Sequence, residues 1–405
     1  MGVFMLGKFR FNAVGQGLFY SGKLQTNNER FNFVYDCGSL SKNGFIDRSI
    51  QFYNKEYFGE DIDMLVISHF DADHFNGIPD LLKRHSVKVV VMPYLTIMDR
   101  VLLGLSIVNS KMDEERKEIL VKIYYDPIKY FSDYADKIVI TYNEGNFSQI
   151  SNIEENSPLG EQLSTKPYDW HEFTDSRCKL WNVIHRVFQI HFYDWEFVFT
   201  NKQAKSSEVE KFIAAFINAL QSEKLAIDEL YQIMLNYKAF ATFAKNIKFL
   251  MPQRNMNDNS VILYHGPKYD NYTNKYFCNT INIEYARDFI YARDFIHDSI
   301  LKEVYRCGTL LTGDYSKFND DWDDIIQQIS QRRIKQVGHF QVPHHGAKSS
   351  FKYYDEFDKC VISYGTRNTY GHPHKDVLYD IAHANTELQL VNEWKDYEYY
   401  IRKLF

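Results

Sequence analysis

The chain has 405 residues, 45% of them apolar, which is enough to bury one large core or two ordinary ones. Its formal net charge of -6 excludes the uniformly basic surface with which some proteins coat nucleic acid, although a local basic groove is compatible with it. Its five scattered cysteines form no CxxC pair, so they favour neither a disulfide framework nor a thiolate zinc cage.

No apolar run reaches the roughly 20 residues that a membrane-spanning helix needs. The first 17 residues alternate apolar and polar positions, a pattern that predicts a strand and not a signal peptide. We therefore expect a soluble cytoplasmic protein with no membrane partner.

The first part of the chain predicts a β-meander followed by a βαβ alternation. The predicted strands are Phe9–Val14, Leu18–Leu24, Phe31–Tyr35, Met64–Ser68 and Val87–Met92. Helices are expected near Ile46–Tyr57 and from Phe75 to about Arg84.

From about residue 99 to 250 the pattern changes to long charged and aromatic stretches. We predict helices over Met112–Tyr134 and Val209–Phe249 and a strand over Val187–Thr200. The short-strand rhythm then returns at Ser260–Tyr264, Thr309–Thr312, Gln336–Val342 and Cys360–Tyr364. The predicted organisation is therefore two αβ halves, 1–98 and 251–405, that flank a helical and aromatic insertion at 99–250.

Four residues of metal-ligand type lie within six positions, directly after a predicted buried strand: His69, Asp71, Asp73 and His74. Residues two apart in an extended chain face the same side, so His69 and Asp71 can share one ion while Asp73 and His74 reach a second. The alternative is a polar surface loop, but burying such groups is costly unless they are paired or bind metal. Two metals account for more of these residues than one.

Three later segments repeat this arrangement, each placing an acid or an imidazole just beyond a predicted strand. They are Thr312-Gly313-Asp314, Pro343-His344-His345-Gly346 and Asn368-Thr369-Tyr370-Gly371-His372-Pro373-His374. Loops at the strand ends of a rigid sheet are where αβ folds hold their chemistry, so we expect these loops to converge.

The ordered set of motifs resembles the metallo-β-lactamase superfamily, and most closely the hydrolase domain of ComEC-type DNA-uptake proteins and their soluble relatives. Further motifs that carry the resemblance are Val14-Gly15-Gln16-Gly17, Asp36-Cys37-Gly38, Asn257-Asp258-Asn259-Ser260 and Tyr370-Gly371-His372-Pro373. It covers both halves and skips most of residues 99–250. It implies an α/β fold, the αββα sandwich, with a large and mainly helical insertion.

The resemblance also implies roles for individual residues. The implied ligands of two divalent ions, Zn²⁺ or Mn²⁺, are His69, Asp71, Asp73, His74, Asp314 and His344, with Asp314 as the bridge. The predicted catalytic residues are Asp71, Asp73, His345, His372 and His374, and Asp36 is implied to be structural. Candidates for substrate binding are Lys348, Ser349, Asn368 and Tyr370, for which a solvated loop is the alternative.

Two positions depart from the family pattern. The segment Asn257–Ser260 lacks the histidine with which many superfamily hydrolases bind metal, so one ion would have a sparser shell or take a different ligand. Leu18 stands where the ComEC-like form VGQGD has its acid.

Two metal ions suit in-line displacement at a phosphodiester, with a hydroxide that bridges them as the attacking group. We therefore predict a metal-dependent nuclease or phosphodiesterase with a nucleic acid or another phosphodiester as substrate. The alternatives are a hydrolase of a small ester, lactone or amide, since one fold serves many substrates, and an effector subunit gated by a regulatory protein partner. The 99–250 insertion is predicted to select substrate or to hold the enzyme inactive.

Overall fold

A computed structural model describes the chain as two β-sheets packed face to face, with helices on their outer faces. The described residues are 5–42, 44–141, 178–183, 187–201, 226–246, 260–268, 275–281, 302–304, 306–315, 322–348, 357–384 and 386–404. Across these ranges, no helix combines the length and the apolar character that crossing a bilayer requires.

The strands in the described ranges are short, as the sequence pattern predicts. They are β1 (Met5–Phe11), β2 (Phe19–Gln25), β3 (Arg30–Cys37), β4 (Ile62–Val66), β5 (Val87–Pro93), β6 (Ala135–Thr141), β7 (Lys179–Val183), β8 (Val187–Phe192), β9 (Trp195–Asn201), β10 (Val261–Pro267), β11 (Lys275–Ile281), β12 (Lys302–Val304), β13 (Gly308–Leu311), β14 (Val337–Gln341), β15 (Lys359–Ser363), β16 (Glu387–Val391) and β17 (Tyr397–Leu404).

The helices lie mostly between parallel strands. They are α1 (Gly44–Glu56), α2 (Ala72–Phe75), α3 (Ile78–Leu82), α4 (Ile97–Asn109), α5 (Glu114–Tyr125), α6 (Pro127–Ser132), α7 (Ile227–Ile233), α8 (Tyr237–Asn246), α9 (Trp322–Ile329), α10 (Gln331–Ile334) and α11 (Lys375–His383), and Pro343–Gly346 forms a 3-10 turn.

Both sheets are mixed. The first has the strand order β12-β11-β17-β1-β2-β3-β4-β5-β6-β7, and the second β16-β15-β14-β13-β10-β9-β8. Strands β3 to β7 are parallel to one another, as are β13 to β16. Parallel neighbours end at the same edge of a sheet, so the loops that follow β4, β13 and β14 can meet between the two sheets.

Three apolar clusters define the layers. Between the sheets, aromatic side chains such as Phe33, Trp195 and Phe197 are fully buried. Helices α1, α3, α4 and α5 cover the outer face of the first sheet, and α9 and α11 cover that of the second. The predicted αββα sandwich of the α/β class is confirmed.

Strand β4 shows how the sequence builds this sandwich. All five of its residues are buried, because a central parallel strand is covered on both faces. Leu65 packs in the cluster beneath the helices, whereas Met64 and Val66 pack between the sheets. The chain leaves this rigid strand directly into the segment Ser68–His74.

Parts of the predicted 99–250 insertion belong to the sandwich itself. Strands β6 and β7 extend the first sheet beyond β5, and β9 pairs with β10 in the second. Gly104 of α4 packs closely against Met234 and Phe240, which lie on or beside α7 and α8. The boundaries at 98 and 250 stay a prediction, but the described strands within them are integral to both sheets.

Two elements predicted in this region are each divided in two. The strand predicted over Val187–Thr200 is the hairpin β8–β9, whose turn includes Tyr193 at a positive φ of 51°. The helix predicted over Met112–Tyr134 is α5 and α6. Asp126 ends the first helix and caps the second, because its side chain accepts the Lys129 N–H at 3.0 Å, and Pro127 occupies the first helical position.

Candidate metal centre

Three loops at strand ends bring acidic and imidazole side chains together. Ligand-type atoms of Asp73 and His74 after β4, Asp314 after β13 and His345 after β14 all lie within 4.8 Å of one another. We call these four residues the metal cluster. Asp36, His69 and His74 form a second group of this kind.

His74 lies at the centre of the metal cluster. Its Nδ1 donates a hydrogen bond to Asp36 Oδ2 at 2.7 Å, and its Nε2 lies 2.9 Å from Asp314 Oδ1. Although they are close, Nε2 and Oδ1 are both buried and not aligned as a hydrogen bond. Two lone-pair atoms in this arrangement fit one shared cation, since ligands about 2.1 Å from an ion lie roughly 3 Å apart.

The tautomer of His69 follows from its neighbours. Ser68 donates its hydroxyl hydrogen to Asp36 Oδ2 at 2.5 Å and its backbone N–H to Oδ1 at 2.6 Å. The Ser68 oxygen therefore accepts the Nδ1–H of His69 at 2.8 Å. The Nε2 of His69 is left with a lone pair, buried and without a hydrogen-bond partner. Such an atom is suited to bind a metal ion.

His345 is oriented in the same way. Its Nδ1 donates to the Ser363 carbonyl oxygen at 2.7 Å, so the Nε2 lone pair faces the metal cluster. That Nε2 lies 3.2 Å from Asp73 Oδ2 and 3.6 Å from Asp314 Oδ2. Three imidazoles, those of His69, His74 and His345, thus carry the hydrogen on Nδ1 and present Nε2.

The electrostatics of the cluster favour positive charge, so without an ion His74 and His345 would carry a proton on both ring nitrogens, and a bound cation would replace the two Nε2 protons. Burial alone would lower the pKa of His74, but the carboxylates of Asp314 and Asp36 outweigh burial and raise it. The pKa of His345 is raised in the same way, by Asp314 and Asp73. Burial raises the pKa of Asp314, yet the surrounding imidazoles bring it well below its ordinary value. Burial lowers the pKa of His69 to about 3, which keeps this imidazole neutral as a ligand must be.

The turn Pro343–Gly346 places two adjacent histidines on different sides. His344 and His345 both adopt left-handed backbone conformations, with φ of 50° and 53°, which non-glycine residues seldom do. His345 is buried within the cluster, whereas His344 Nε2 lies 3.9 Å from Asp314 Oδ2 with its side chain partly exposed. The sequence assigned the ligand role to His344, but His345 is the one that lies in the four-residue cluster.

Asp71 lies at the edge of the site. Its Oδ2 is 4.0 Å from His69 Nε2, and its side chain is about one-third exposed, at 32%. The two side chains are therefore neighbours, and their role as joint ligands of one ion stays a prediction. Of the segment Asn257–Ser260, only Ser260 lies within the described residues, and its hydroxyl is 3.4 Å from His69 Nδ1, away from the Nε2 lone pair.

The loop 365–374 borders the metal cluster. The ring of half-buried His372 lies 5.4 Å from that of His344, and burial lowers its pKa to about 4. Its buried Nδ1 has no hydrogen-bond partner. The ring of Tyr370 stacks on that of His372 at 5.9 Å, and the tyrosine is 62% exposed.

Other predicted site residues have local partners. The Asn368 side chain makes all its hydrogen bonds within its own loop, to Gly365, Tyr370 and His372. Lys348 is exposed and lies 2.6 Å from Asp376. Ser349 lies outside the described residues. The assignment of Lys348, Ser349, Asn368 and Tyr370 to substrate binding stays a prediction.

His374 caps helix α11. Its Nδ1 accepts the Asp376 N–H at 3.2 Å, so the neutral imidazole carries its hydrogen on Nε2. That atom can donate to a substrate oxygen. The catalytic assignment of His374, like those of the other predicted catalytic residues, stays a prediction.

The sequence did not identify the residues that orient the ligands. Ser68 and Ser363 lie at or next to the ends of predicted strands, and neither belongs to a motif that predicts this role. Both act on histidines through hydrogen bonds, and Ser363 is 18 positions from its partner His345. Only the folded chain brings that pair together.

Residues 24–101 match the family model of the metallo-beta-lactamase superfamily. The matched range includes β3, β4, β5 and the segment His69–His74. It therefore supports both the sandwich fold and the metal-ligand interpretation of this segment. A comparison with curated proteins found no match.

The residues present fit the divalent ions that superfamily members typically hold. Buried atoms without a hydrogen-bond partner converge there, namely His69 Nε2, His74 Nε2 and Asp314 Oδ1. Mixed imidazole and carboxylate donors suit both Zn²⁺ and Mn²⁺. The residues that would hold the ions are His69, Asp71, Asp73, His74, Asp314 and His345, with His344 close by.

Proposed function

We propose that the protein is a metal-dependent phosphodiesterase that acts on nucleic acid or on a smaller phosphodiester. The superfamily match and the metal cluster support the broader class, a metal-dependent hydrolase. The observation that carries the proposal is the convergence of Asp73, His74, Asp314 and His345 from three loops onto one point.

Three features favour phosphodiester chemistry within this class. The ligand set is rich in carboxylates, which suit the hard ions that bind phosphate oxygens. The motifs resemble those of the ComEC-type hydrolase domain, a closer relationship that is part of this proposal. The loop beside the cluster also presents Tyr370, exposed on one face, to which a base or another planar group can stack.

The chain's own residues have distinct roles in this mechanism. Bound ions would supply the Lewis acidity that activates water and neutralises charge on a phosphoryl group. Asp36, Ser68 and Ser363 hold three imidazoles in the tautomer that binds metal. Asp71 and Asp73 would orient the attacking water, and the Nε2–H of His374 would donate a hydrogen bond to the leaving oxygen, which takes its proton from water.

The experiment is a metal-supplemented hydrolysis panel on single-stranded DNA, duplex DNA, RNA and bis-p-nitrophenyl phosphate, with p-nitrophenyl acetate and a lactone beside them. We expect metal-dependent cleavage of at least one phosphodiester, lost in Asp314→Ala while secondary structure persists. Asp61→Ala is the matched control, because Asp61 precedes β4 at the end remote from the cluster. Cleavage of the carboxyl esters alone would replace the phosphodiesterase proposal by the ester or lactone alternative.

Metal content tests the site independently of substrate. We expect close to two divalent ions per parent chain by elemental analysis, and fewer in Asp314→Ala. Protein that holds no metal and rebinds neither Zn²⁺ nor Mn²⁺ would overturn the site.

A further inference from the structure

A buried carboxylate ties together three loops beside the metal cluster. Glu393 Oε1 and Oε2 accept the Thr366 N–H at 3.1 and 3.0 Å, and Oε1 accepts the Ser41 hydroxyl at 2.9 Å. The Ser41 oxygen accepts the Gln16 N–H at 3.0 Å, and Gln16 Oε1 accepts the Gly365 N–H at 3.2 Å. We call Gln16, Ser41 and Glu393 the clamp.

The clamp carboxylate is costly to bury, and its donors offset that cost. Glu393 is only 5% exposed, on the turn after β16. Burial raises its pKa, but hydrogen bonds that include those of Thr366 and Ser41 outweigh burial and lower the value. Glu393 is therefore ionised, and its carboxylate accepts hydrogen bonds from the start of the loop 365–374, at Thr366.

Hydrogen bonds carry this restraint along the loop to His372. The amide nitrogen of Asn368 donates to the Gly365 and His372 carbonyl oxygens, both at 2.6 Å. Its oxygen accepts the Tyr370 and His372 N–H groups, both at 3.1 Å. The start of the loop and His372 thus form one unit.

The other side of the clamp is fixed to the metal cluster. Leu18 N–H donates to the Asp73 carbonyl oxygen at 3.0 Å, and the Ser363 hydroxyl donates to the Gly17 carbonyl oxygen at 2.7 Å. Ser363 in turn accepts the Nδ1–H of His345. The segment that includes Gln16 is therefore joined to the cluster at two points.

We propose that Glu393 is a positioning residue that fixes the loop 365–374, with His372 and Tyr370, relative to the metal cluster. The expected loss of activity rests on the proposed function. The effect of Glu393 on the position of the loop does not. Removing the carboxylate should leave the metal ligands in place, because Asp36, Ser68 and Ser363 hold them. The misplaced loop should lower turnover, since small displacements of positioning groups cost large factors in rate.

The test compares Glu393→Ala and Glu393→Gln with Glu387→Ala. Glu387 is an exposed glutamate at the start of β16, the opposite end from Glu393, and it pairs with Lys359. In full-length protein we expect Glu393→Ala to speed amide hydrogen exchange across 365–372 by about tenfold or more. Metal content should be unchanged, and kcat on bis-p-nitrophenyl phosphate should fall by about tenfold. Glu387→Ala should match the parent in all three.

Glu393→Gln separates positioning from folding. A glutamine can accept the Thr366 N–H and donate to the Ser41 oxygen, so exchange and kcat should stay within about threefold of the parent. Parent-like exchange or parent-like kcat in Glu393→Ala would overturn the proposal. If Glu393→Ala does not fold, a Glu393→Gln variant that loses metal together with turnover would overturn it. If the parent cleaves no phosphodiester, the proposed function fails, and the exchange result alone decides whether the clamp holds the loop.

Discussion

Asp36 holds two of the imidazole ligands although it is remote from them in sequence. It accepts His74 Nδ1–H and both Ser68 donors, and Ser68 in turn accepts from His69. It also adopts a positive φ of 57°, a conformation that aspartate and asparagine tolerate better than most residues. Its carboxylate thus acts on the metal cluster through other side chains, as the resemblance implied when it made Asp36 structural.

We expect Asp36→Asn to weaken metal binding by about 10- to 100-fold, which is the usual effect of removing a partner of a metal-bound histidine. Asparagine tolerates the backbone conformation. Its NH₂ group, however, is a donor and cannot accept one of the hydrogen bonds that the carboxylate accepts from Ser68 and His74. Competition with a chelator measures the affinity. Asp63→Asn is the matched control, because Asp63 is a buried carboxylate at the other end of β4. Equal affinity in parent and Asp36→Asn would contradict this role.

The site residues that could be predicted from the sequence are those that lie close together along the chain. His69, Asp71, Asp73 and His74 form one run, and the structure brings that run to Asp314 and His345. The sequence assigned the ligand role to His344, whereas His345 lies in the four-residue cluster, because the left-handed turn directs the two side chains apart. Glu393 was not predicted at all, since its partners Ser41 and Thr366 are 352 and 27 positions away.

At the level of elements, the break between α2 and α3 lies where the loop after β3 packs against them. The helix predicted from Phe75 to about Arg84 starts instead at Ala72, as α2, is interrupted at Asn76 and Gly77, and resumes as α3. The Asn76 side chain bonds to the backbone of Ser39, and Gly77 N–H donates to the Cys37 carbonyl oxygen. The break is a tertiary effect of the Asp36-Cys37-Gly38 motif, which local sequence patterns do not reveal.

Gly38 lets that motif approach the metal loop. A Cβ at this position would lie 2.5 to 2.6 Å from backbone atoms of Asp73, His74 and Phe75. We expect Gly38→Ala to destabilise the fold by about 1–3 kcal/mol, as overpacking of a close contact does, and to reduce metal content by displacing Asp73 and His74. Urea unfolding and elemental analysis measure the two effects.

Gly44→Ala is the control, because a Cβ there meets nothing within 4 Å. It should keep the parent's unfolding midpoint and metal content. Unchanged stability and metal content in Gly38→Ala would show that the motif does not need the close approach.

At the level of the whole molecule, two neutral histidines lie between the sheets. His265 Nδ1 accepts the Trp195 N–H at 3.3 Å, so the neutral ring carries its hydrogen on Nε2 and donates it to the Tyr20 hydroxyl oxygen at 2.8 Å. Burial lowers the pKa of His265 to about 3 and that of His339 well below its ordinary value. Protonation of either side chain therefore opposes folding.

The folded pKa of His265 lies below the unfolded value of about 6.5, so its contribution to stability is complete above about pH 6.5 and falls as the pH drops towards 3. Between pH 7 and pH 5 we expect the parent to lose about 2 kcal/mol more stability than His265→Gln, which cannot take up the proton. Urea unfolding at both pH values measures the difference. His383→Gln, at an exposed position, should follow the parent. Equal pH dependence in parent and His265→Gln would contradict the neutral buried state.

The proposed gating by residues 99–250 has to be tested on a smaller segment. Deleting the whole range would remove β6 to β9 and with them parts of both sheets. The described helices α7 and α8 lie on α4, where Arg100 donates hydrogen bonds to the Tyr125 carbonyl oxygen and the Tyr231 hydroxyl. Arg100→Ala should loosen this helix pair without removing a strand. If the pair gates the site, relative rates on bis-p-nitrophenyl phosphate and single-stranded DNA should change, and an unchanged ratio would exclude gating by it.

Strand β17 pairs with a strand that lies far from it in the chain. It lies between β1 and β11 in the first sheet, so β1 has both its neighbours only once residues 397–404 have been made. The clamp residue Glu393 arrives only shortly before. A nascent chain that already carries every metal-ligand residue up to position 345 still lacks this partner strand and the loop over the cluster, and such long-range pairing is slow to form. We therefore expect a chain that has not yet made residues 397–404 to carry its metal ligands without a finished site, so that hydrolytic competence depends on the pairing of β17 with β1.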